Sequence, residues 1–401
     1  MRSYDRFRAA LADRELPAAF VDLDAFDRNV AQVRGLLAGT AVRLRVGTKS
    51  LRCVALLERL RDALGDRGGG VMAFTAAEAE ALVGRGFRDV VVAYPSARPA
   101  DARRLARLAR AGAFVAAMVD DARQLPPLAA AAVGEGTTVP VVLDVDMAWR
   151  PPGLPTAVAL GVRRSPLFEP AAVVALARRV AETSGLRFVG VMGYEAQIAG
   201  LPDRDGRGRR EPAHAFVKAL SRGQVRARRG AVRAALEAAG LAPALVNGGG
   251  TGSARWTAGD PAVTEVTVGS GFLGGTLFDG LDDFAPEPSL FFALPVARVP
   301  APGLVTCLGG GYVASGSPGW EKLPRPCLPP GLSLLPWEGA GEVQTPLRVP
   351  PEVSLAPGDP VVFRHAKAGE LAERFAAYHL LRGERIEATV ATYRGEGWCF
   401  L

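Results

Sequence analysis

The sequence predicts an α/β protein in which a (β/α)8 barrel is followed by a second, mainly β domain. Two features carry that expectation. Over residues 24–280, eight short apolar runs alternate with stretches rich in Ala, Leu and Arg. Strands that are apolar throughout and separated by helices make a parallel sheet covered on its outside, and eight such units close into a barrel rather than an open sheet. Over residues 281–401 the texture changes to short β-like segments and proline-rich connections. There Pro324, Pro326, Pro329, Pro330 and Pro336 exclude long helices.

Residues 18–23 read as a strand, and the segment 1–23 is expected to join the β domain. Asp24 is placed to cap a helix whose Phe26, Val30, Val33 and Leu37 share one face. The barrel strands are expected at 43–49, 70–74, 89–95, 113–119, 140–147, 187–195, 244–249 and 264–270. Helices are expected at 51–64, 75–83, 100–111 and 170–183, and Thr75 with Glu78 three residues on forms a capping box. Beyond residue 280, strands are expected at 291–299, 303–308, 361–365 and 385–393. The segment 204–233 is dense in arginine, with Arg207, Arg209, Arg210, Arg222, Arg226, Arg228 and Arg229. A nucleic-acid surface is one reading, but the segment lacks the aromatic series that a stacking platform interleaves, so it reads as a solvated loop and helix between the sixth and seventh strands.

Composition narrows the class. With 49% hydrophobic and 22% charged residues, the chain is that of a soluble globular protein with a sizeable core. A net charge of +7 suits anionic small molecules and does not require nucleic acid. Cys53, Cys307, Cys327 and Cys399 form no CxxC pair, and no apolar run is long enough for a signal peptide or a membrane span. A cytoplasmic protein with no membrane partner is expected.

Of the 48 Lys and Arg residues only four are Lys, namely Lys49, Lys218, Lys322 and Lys367. Arginine never loses its proton in proteins, whereas a desolvated lysine can, so only Lys attacks a carbonyl to form a Schiff base. Lys49 closes the first expected barrel strand, where a side chain points into the barrel mouth. Active sites of such barrels lie at the C-terminal ends of the strands, and phosphate is commonly held after strands seven and eight. Those loops here are Asn247-Gly248-Gly249-Gly250-Thr251-Gly252-Ser253 and Gly269-Ser270-Gly271. Their glycines let backbone N–H groups approach an anion, and their hydroxyls donate to it. A phosphate held opposite a lysine amine describes pyridoxal 5′-phosphate, with Arg150 and Tyr194 as candidates for the ring's surroundings. Core packing is the alternative for Tyr194.

These residues resemble a family. Arg45 with Lys49, Arg150, Gly193-Tyr194-Glu195, the glycine loop through Thr251, Glu265 to Ser270, and Gly358 to His365 resemble the fold type III pyridoxal-phosphate enzymes, the alanine racemase-like barrels. Within them the likeness is to the D-threonine aldolase and D-serine dehydratase branch. It implies Lys49 as the Schiff-base lysine, Arg45, Arg150 and Tyr194 around the cofactor, and Gly249, Gly250, Thr251, Gly269 and Ser270 as the phosphate cup. Thr267 falls at the pyridine-nitrogen position. The family commonly has His two positions before and after its lysine, where this chain has Gly47 and Leu51.

The resemblance also implies a divalent metal held by a His and, two residues later, a Cys or Asp. His365 matches the first ligand, but Lys367 stands at the second. A protonated amine cannot ligate a metal and repels one, so either the ion is lost or other residues such as Glu370 hold it. His365 and Lys367 are then candidates for catalysis. The activity implied is a lyase acting on a D-configured β-hydroxy amino acid, by retro-aldol cleavage or dehydration. An amino-acid racemase with Tyr312 as second base, and a non-catalytic pyridoxal-phosphate carrier, are the alternatives. A homodimer acting on a small amino acid is implied as well.

Overall fold

The computed structural model describes residues 4–151, 153, 158–206 and 208–401. Residues 1–3 of the expected N-terminal segment and Arg207 lie outside them. Strand β1 (Ala18–Asp22) stays out of the barrel, which is built from β2 (Arg43–Gly47), β3 (Gly68–Ala73), β4 (Asp89–Val92), β5 (Phe114–Val119), β6 (Val139–Asp144), β7 (Leu186–Met192), β8 (Leu245–Gly248) and β9 (Glu265–Val268). All pair in parallel with their neighbours, and β9 returns to β2 to close the ring.

Side-chain alternation explains why these runs are apolar throughout. Val91, Ala116, Met118, Val142 and Val189 form one buried cluster in the interior. Val90, Val92, Val115, Ala117, Val141 and Leu143 join the layer beneath the helices. The interior also holds a charge, because Arg45 on β2 is 1% exposed. Its guanidinium donates bidentately to Glu265 at 2.6 and 2.9 Å and to Asp89 at 2.8 Å, which satisfies a group that could not be buried unpaired. Gly69 leaves the room, since a Cβ there would sit 2.5 Å from the Glu265 carboxylate.

Several elements differ from expectation. The N-terminal segment begins with a helix, Tyr4–Leu11, whose Phe7 packs 5.0 Å from Phe20 and 5.5 Å from Phe291 between ring centres. The helix Leu23–Leu36 is capped by Asp22 rather than Asp24, the Asp22 carboxylate accepting from Asp24 N and Ala25 N. Half of the capping box forms. Thr75 Oγ1 accepts from Glu78 N, but the Glu78 carboxylate takes Phe74 N at 2.6 Å. The arginine-dense segment becomes a helix over Pro212–Ala238, and it is not wholly solvated: Arg228 and Arg229 are buried. No helix among the described residues is long and apolar enough to cross a membrane.

The second sheet contains β10 (Leu290–Ala301), β11 (Leu304–Leu308), β12 (Arg325–Leu328), β13 (Ser333–Leu334), β14 (Gln344–Arg348), β15 (Pro360–Arg364), β16 (Ala377–Arg382) and β17 (Arg385–Ala391). β1 lies at its centre, antiparallel to β10 and parallel to β16. Phe20 on β1 faces the N-terminal helix, whereas Ala19 and Val21 join the main core. One strand therefore ties both layers together.

After β17 the chain returns to the barrel. Tyr393 N donates to Arg52 O at 2.8 Å, and Tyr393 OH donates to Glu78 Oε1 at 2.9 Å. Burial pushes the Glu78 carboxyl up from 4.5 to about 7, against the hydrogen bonds it accepts. The folded chain therefore binds this proton more tightly than the unfolded chain. Its contribution is fully present below pH 4.5 and is lost as pH rises to about 7. Glu78→Gln is expected to flatten the pH dependence of the melting temperature across that window. An unchanged slope would show that this carboxylate is not its source.

Candidate active site

Lys49 sits in a single 3₁₀ turn, Thr48–Ser50, directly after β2. The turn is held from three sides. Thr48 Oγ1 donates to Met72 O at 2.9 Å, and Arg52, whose φ is +45°, donates from Nε to Lys49 O at 3.2 Å. Gly369, from the far end of the chain, lies so close to Lys49 O that a Cβ would collide with it. The Lys49 side chain opens onto a cavity of about 740 Å³ at the C-terminal mouth of the barrel. Burial lowers the proton affinity of Lys49, with Lys367 and Arg164 adding repulsion that Tyr94 and Glu370 partly oppose.

Across the cavity lie Gly249, Gly250, Thr251, Gly269 and Ser270, with Ser50 Oγ 3.0 Å from Ser270 Oγ. Gly249 has φ +91°, and a Cβ at Gly250 would meet Ala199 at 2.8 Å and Tyr194 at 3.1 Å. These tight turns bring small residues and hydroxyls to the cavity wall, the kind of turn that cradles an anion. Glu195 holds that turn in place. Its fully buried carboxylate accepts from Gly249 N at 3.0 Å, Ser253 Oγ at 2.9 Å, Thr257 Oγ1 and Arg229 Nη2 at 3.0 Å.

Tyr194, the neighbour of Glu195, lines the cavity, and burial pushes its phenol up to about 12. It can donate a hydrogen bond but does not act as a base at neutral pH. Thr267 also lines the cavity and bonds Asn247, whose Nδ2 lies 2.9 Å from Thr267 Oγ1. The floor thus presents two uncharged groups.

Two of the residues expected around the cofactor lie elsewhere. Arg45 does not line the cavity: it is spent on Glu265 and Asp89, and reaches the site only through Glu265, which accepts from Asn247 Nδ2 at 2.8 Å. Arg150 is also turned away. It pairs with Asp146 at 2.9 Å and stacks on Phe168, with its carbon centre 3.9 Å from the ring and Arg228 at 3.6 Å from the same ring. Arg204, Arg325 and Arg164 line the cavity instead, and Arg164 Nε donates to Asp144 Oδ2 at 3.0 Å while its guanidinium lies near the rings of Tyr94 and Tyr194. Burial raises Asp144 to about 6, Arg164 opposing. Arg164, Tyr94, Ser50 and Glu195 are the residues that sequence reasoning missed.

On the wall formed by 365–372, Lys367 lines the cavity but His365 does not. His365 Nδ1 lies 3.0 Å from Leu290 O, which can only accept, so Nδ1 carries the proton and Nε2 is a bare lone pair. Nε2 faces Gly275, where a Cβ would be 3.1 Å away, and it has no partner among the described residues. Burial and the nearby Arg364 push this imidazole down to about 3. It is neutral, and too weak a base to hold a proton at neutral pH. Tyr312 is also absent from the cavity, its ring packing edge-on against Phe292 and Phe375.

Three comparisons bear on this geometry. Residues 21–276 match the family model described as alanine racemase, N-terminal domain. A 3-hydroxy-D-aspartate aldolase of Paracoccus denitrificans (strain Pd 1222) is 31% identical over 257 residues, covering 64% of this chain and 59% of that protein. A D-threonine aldolase of Arthrobacter sp is 30% identical over 300 residues, 74% of this chain and 71% of the relative. The match with the Paracoccus protein thus spans less than two thirds of that protein's length. The crystal structure of D-threonine aldolase from Filomicrobium marinum superposes with a TM-score of 0.81 at 24% identity over 96% of both chains, a likeness of fold.

Proposed function

From the premise that this chain belongs to the alanine racemase N-terminal domain family, we propose that it is a pyridoxal 5′-phosphate-dependent lyase of D-configured β-hydroxy amino acids. The observation that carries this is the placement of Lys49, an amine of lowered proton affinity, in the same cavity as two glycine-rich turns that carry hydroxyls. The residues present fit the cofactor: the cradle suits a phosphate, Lys49 an aldehyde, and Asn247 with Thr267 an uncharged ring nitrogen. When bound, pyridoxal phosphate supplies an aldehyde and a ring that takes up negative charge from Cα of an amino acid. Arg164, which lines the cavity, would take the place around the cofactor that the resemblance gives to Arg150.

The chain's own contribution is to bind, orient and move protons. Lys49 is the proton carrier in this reading, because an amine whose proton affinity is lowered has a larger free-base fraction at neutral pH. Arg164 fixes Tyr94 and Tyr194 about one wall while Asp144 holds Arg164. The wall 365–372 keeps the Lys49 turn from opening to solvent.

Product analysis of the holoenzyme tests the reading. Glycine plus an aldehyde from a D-β-hydroxy amino acid identifies cleavage, and ammonia plus a 2-oxo acid identifies dehydration. Inversion of a simple amino acid with no bond lost would replace the proposal by a racemase. The racemase reading lacks its second base in this chain, since Tyr312 lies outside the cavity. The reading includes a homodimer, supported by exposed Phe216 and Trp320 beside the cavity residues His214 and Glu321. Light scattering at a monomer mass would remove that part. Its four cysteines are free thiols, which suits a cytoplasmic setting.

A further inference from the structure

Three of the chain's four lysines, Lys49, Lys322 and Lys367, line one cavity, in a protein that otherwise writes nearly every cation as arginine. The fourth, Lys218, is buried against Asp203 at 2.7 Å. Lys367 stands two residues after His365, where the family resemblance calls for the second ligand of a divalent ion.

The residues present do not fit such an ion. Zinc wants four nitrogen, sulfur or oxygen donors, and magnesium or calcium six or more oxygens. This wall offers two unpartnered donor atoms, His365 Nε2 and Glu370 Oε2, and the second belongs to a carboxylate already facing an ammonium. Glu370 is engaged, accepting from Ser315 and lying 4.0 Å from Lys367 Nζ through its Oε1. Among the described residues no three His, Cys, Asp or Glu side chains gather to hold a metal. A protonated Lys367 would repel one.

The segment is nevertheless fixed with care. Thr276 N donates to His365 O at 3.0 Å, and Gly369 abuts Lys49 O, so the Lys367 ammonium is delivered to the cavity on a braced backbone. An ammonium is a compact point charge with three donors, closer in shape to a metal ion than the flat guanidinium used elsewhere in the chain. We propose that the Lys367 ammonium replaces a divalent cation in this site, so that the protein needs no metal. That this charge faces the β-oxygen of a substrate rests on the lyase reading; the replacement of the ion does not.

The test uses holoenzyme dialysed against EDTA, then titrated with Mn²⁺ by calorimetry and assayed for turnover. Wild type is expected to take up no Mn²⁺ and to turn over equally with and without EDTA. Lys367→Asp, which sets a carboxylate two residues from His365, is expected to gain one Mn²⁺ per chain. Lys367→Ala is expected to bind no metal and to lose about 10²-fold in kcat/KM, with Lys367→Arg recovering part. One tightly bound Mn²⁺ per wild-type chain, or turnover that collapses in EDTA and returns with Mn²⁺, would overturn the proposal. So would a Lys367→Asp variant that refuses Mn²⁺, because the position would then be no cation site. If wild type refuses Mn²⁺ and Lys367→Asp accepts it, but no D-β-hydroxy amino acid is consumed, the lyase reading falls and the replacement stands.

Discussion

Lys49→Ala is expected to abolish both covalent capture of the cofactor and turnover, the latter by about 10³-fold or more. Borohydride treatment of wild-type holoenzyme should attach one pyridoxyl group per chain, on the peptide carrying Lys49, and none on the variant. No other cavity amine can substitute. Lys322 comes from the 3₁₀ turn Trp320–Lys322, and Lys367 from the wall near Glu370. Neither follows a barrel strand, as Lys49 does directly after β2. Reduction that labels Lys367 or Lys322 instead, or a variant that keeps its turnover, would remove the central assignment.

The second large effect is expected at Arg229→Met. Arg229 is 1% exposed, and its guanidinium bridges Glu195 at 3.0 Å and Asp260 at 2.8 Å, both fully buried. Removing the cation leaves two carboxylates buried without their partner, a class of change that destabilises by about 3–5 kcal/mol. The lower end is expected, because Glu195 keeps Gly249 N, Ser253 Oγ and Thr257 Oγ1, and Asp260 keeps Ala262 N. Because Glu195 also holds the glycine turn, cofactor affinity should fall in the same variant. Denaturant unfolding with and without pyridoxal phosphate measures both. A change in stability within about 0.5 kcal/mol would mean the pair is not structurally coupled.

The barrel was legible in the sequence because its strands are buried on both faces, so that each reads as an uninterrupted apolar run. Lys49 and the two glycine loops were legible because they lie within a few residues of strand ends. Arg164 was not. It lies in the connection after β6, and the isolated bridge between Trp149 and Leu160 folds that connection back on itself, bringing residue 164 rather than 150 over the mouth. Nothing in local spacing announces such a reversal. Arg229 did leave a signal: Val225, Val232 and Leu236 flank it at helical spacing, so it lies on the buried stripe of its helix and not among the solvated arginines. His365 was matched by its place in a motif, but its distance from the cavity depends on how Gly275 packs against it, which only the tertiary structure supplies.

The braces around Lys49 have a consequence for how the protein is made. Tyr393 meets Glu78 across 315 residues, and Glu373 meets Arg52 across 321. A nascent chain on the ribosome can thus complete the whole barrel while the turn carrying Lys49 still lacks its outer supports, since those are translated after the barrel. Closing such long loops adds little entropy beyond that of shorter ones, so the delay is one of synthesis and not of stability. Lys49 therefore gains its final surroundings only when the strands of the second sheet dock.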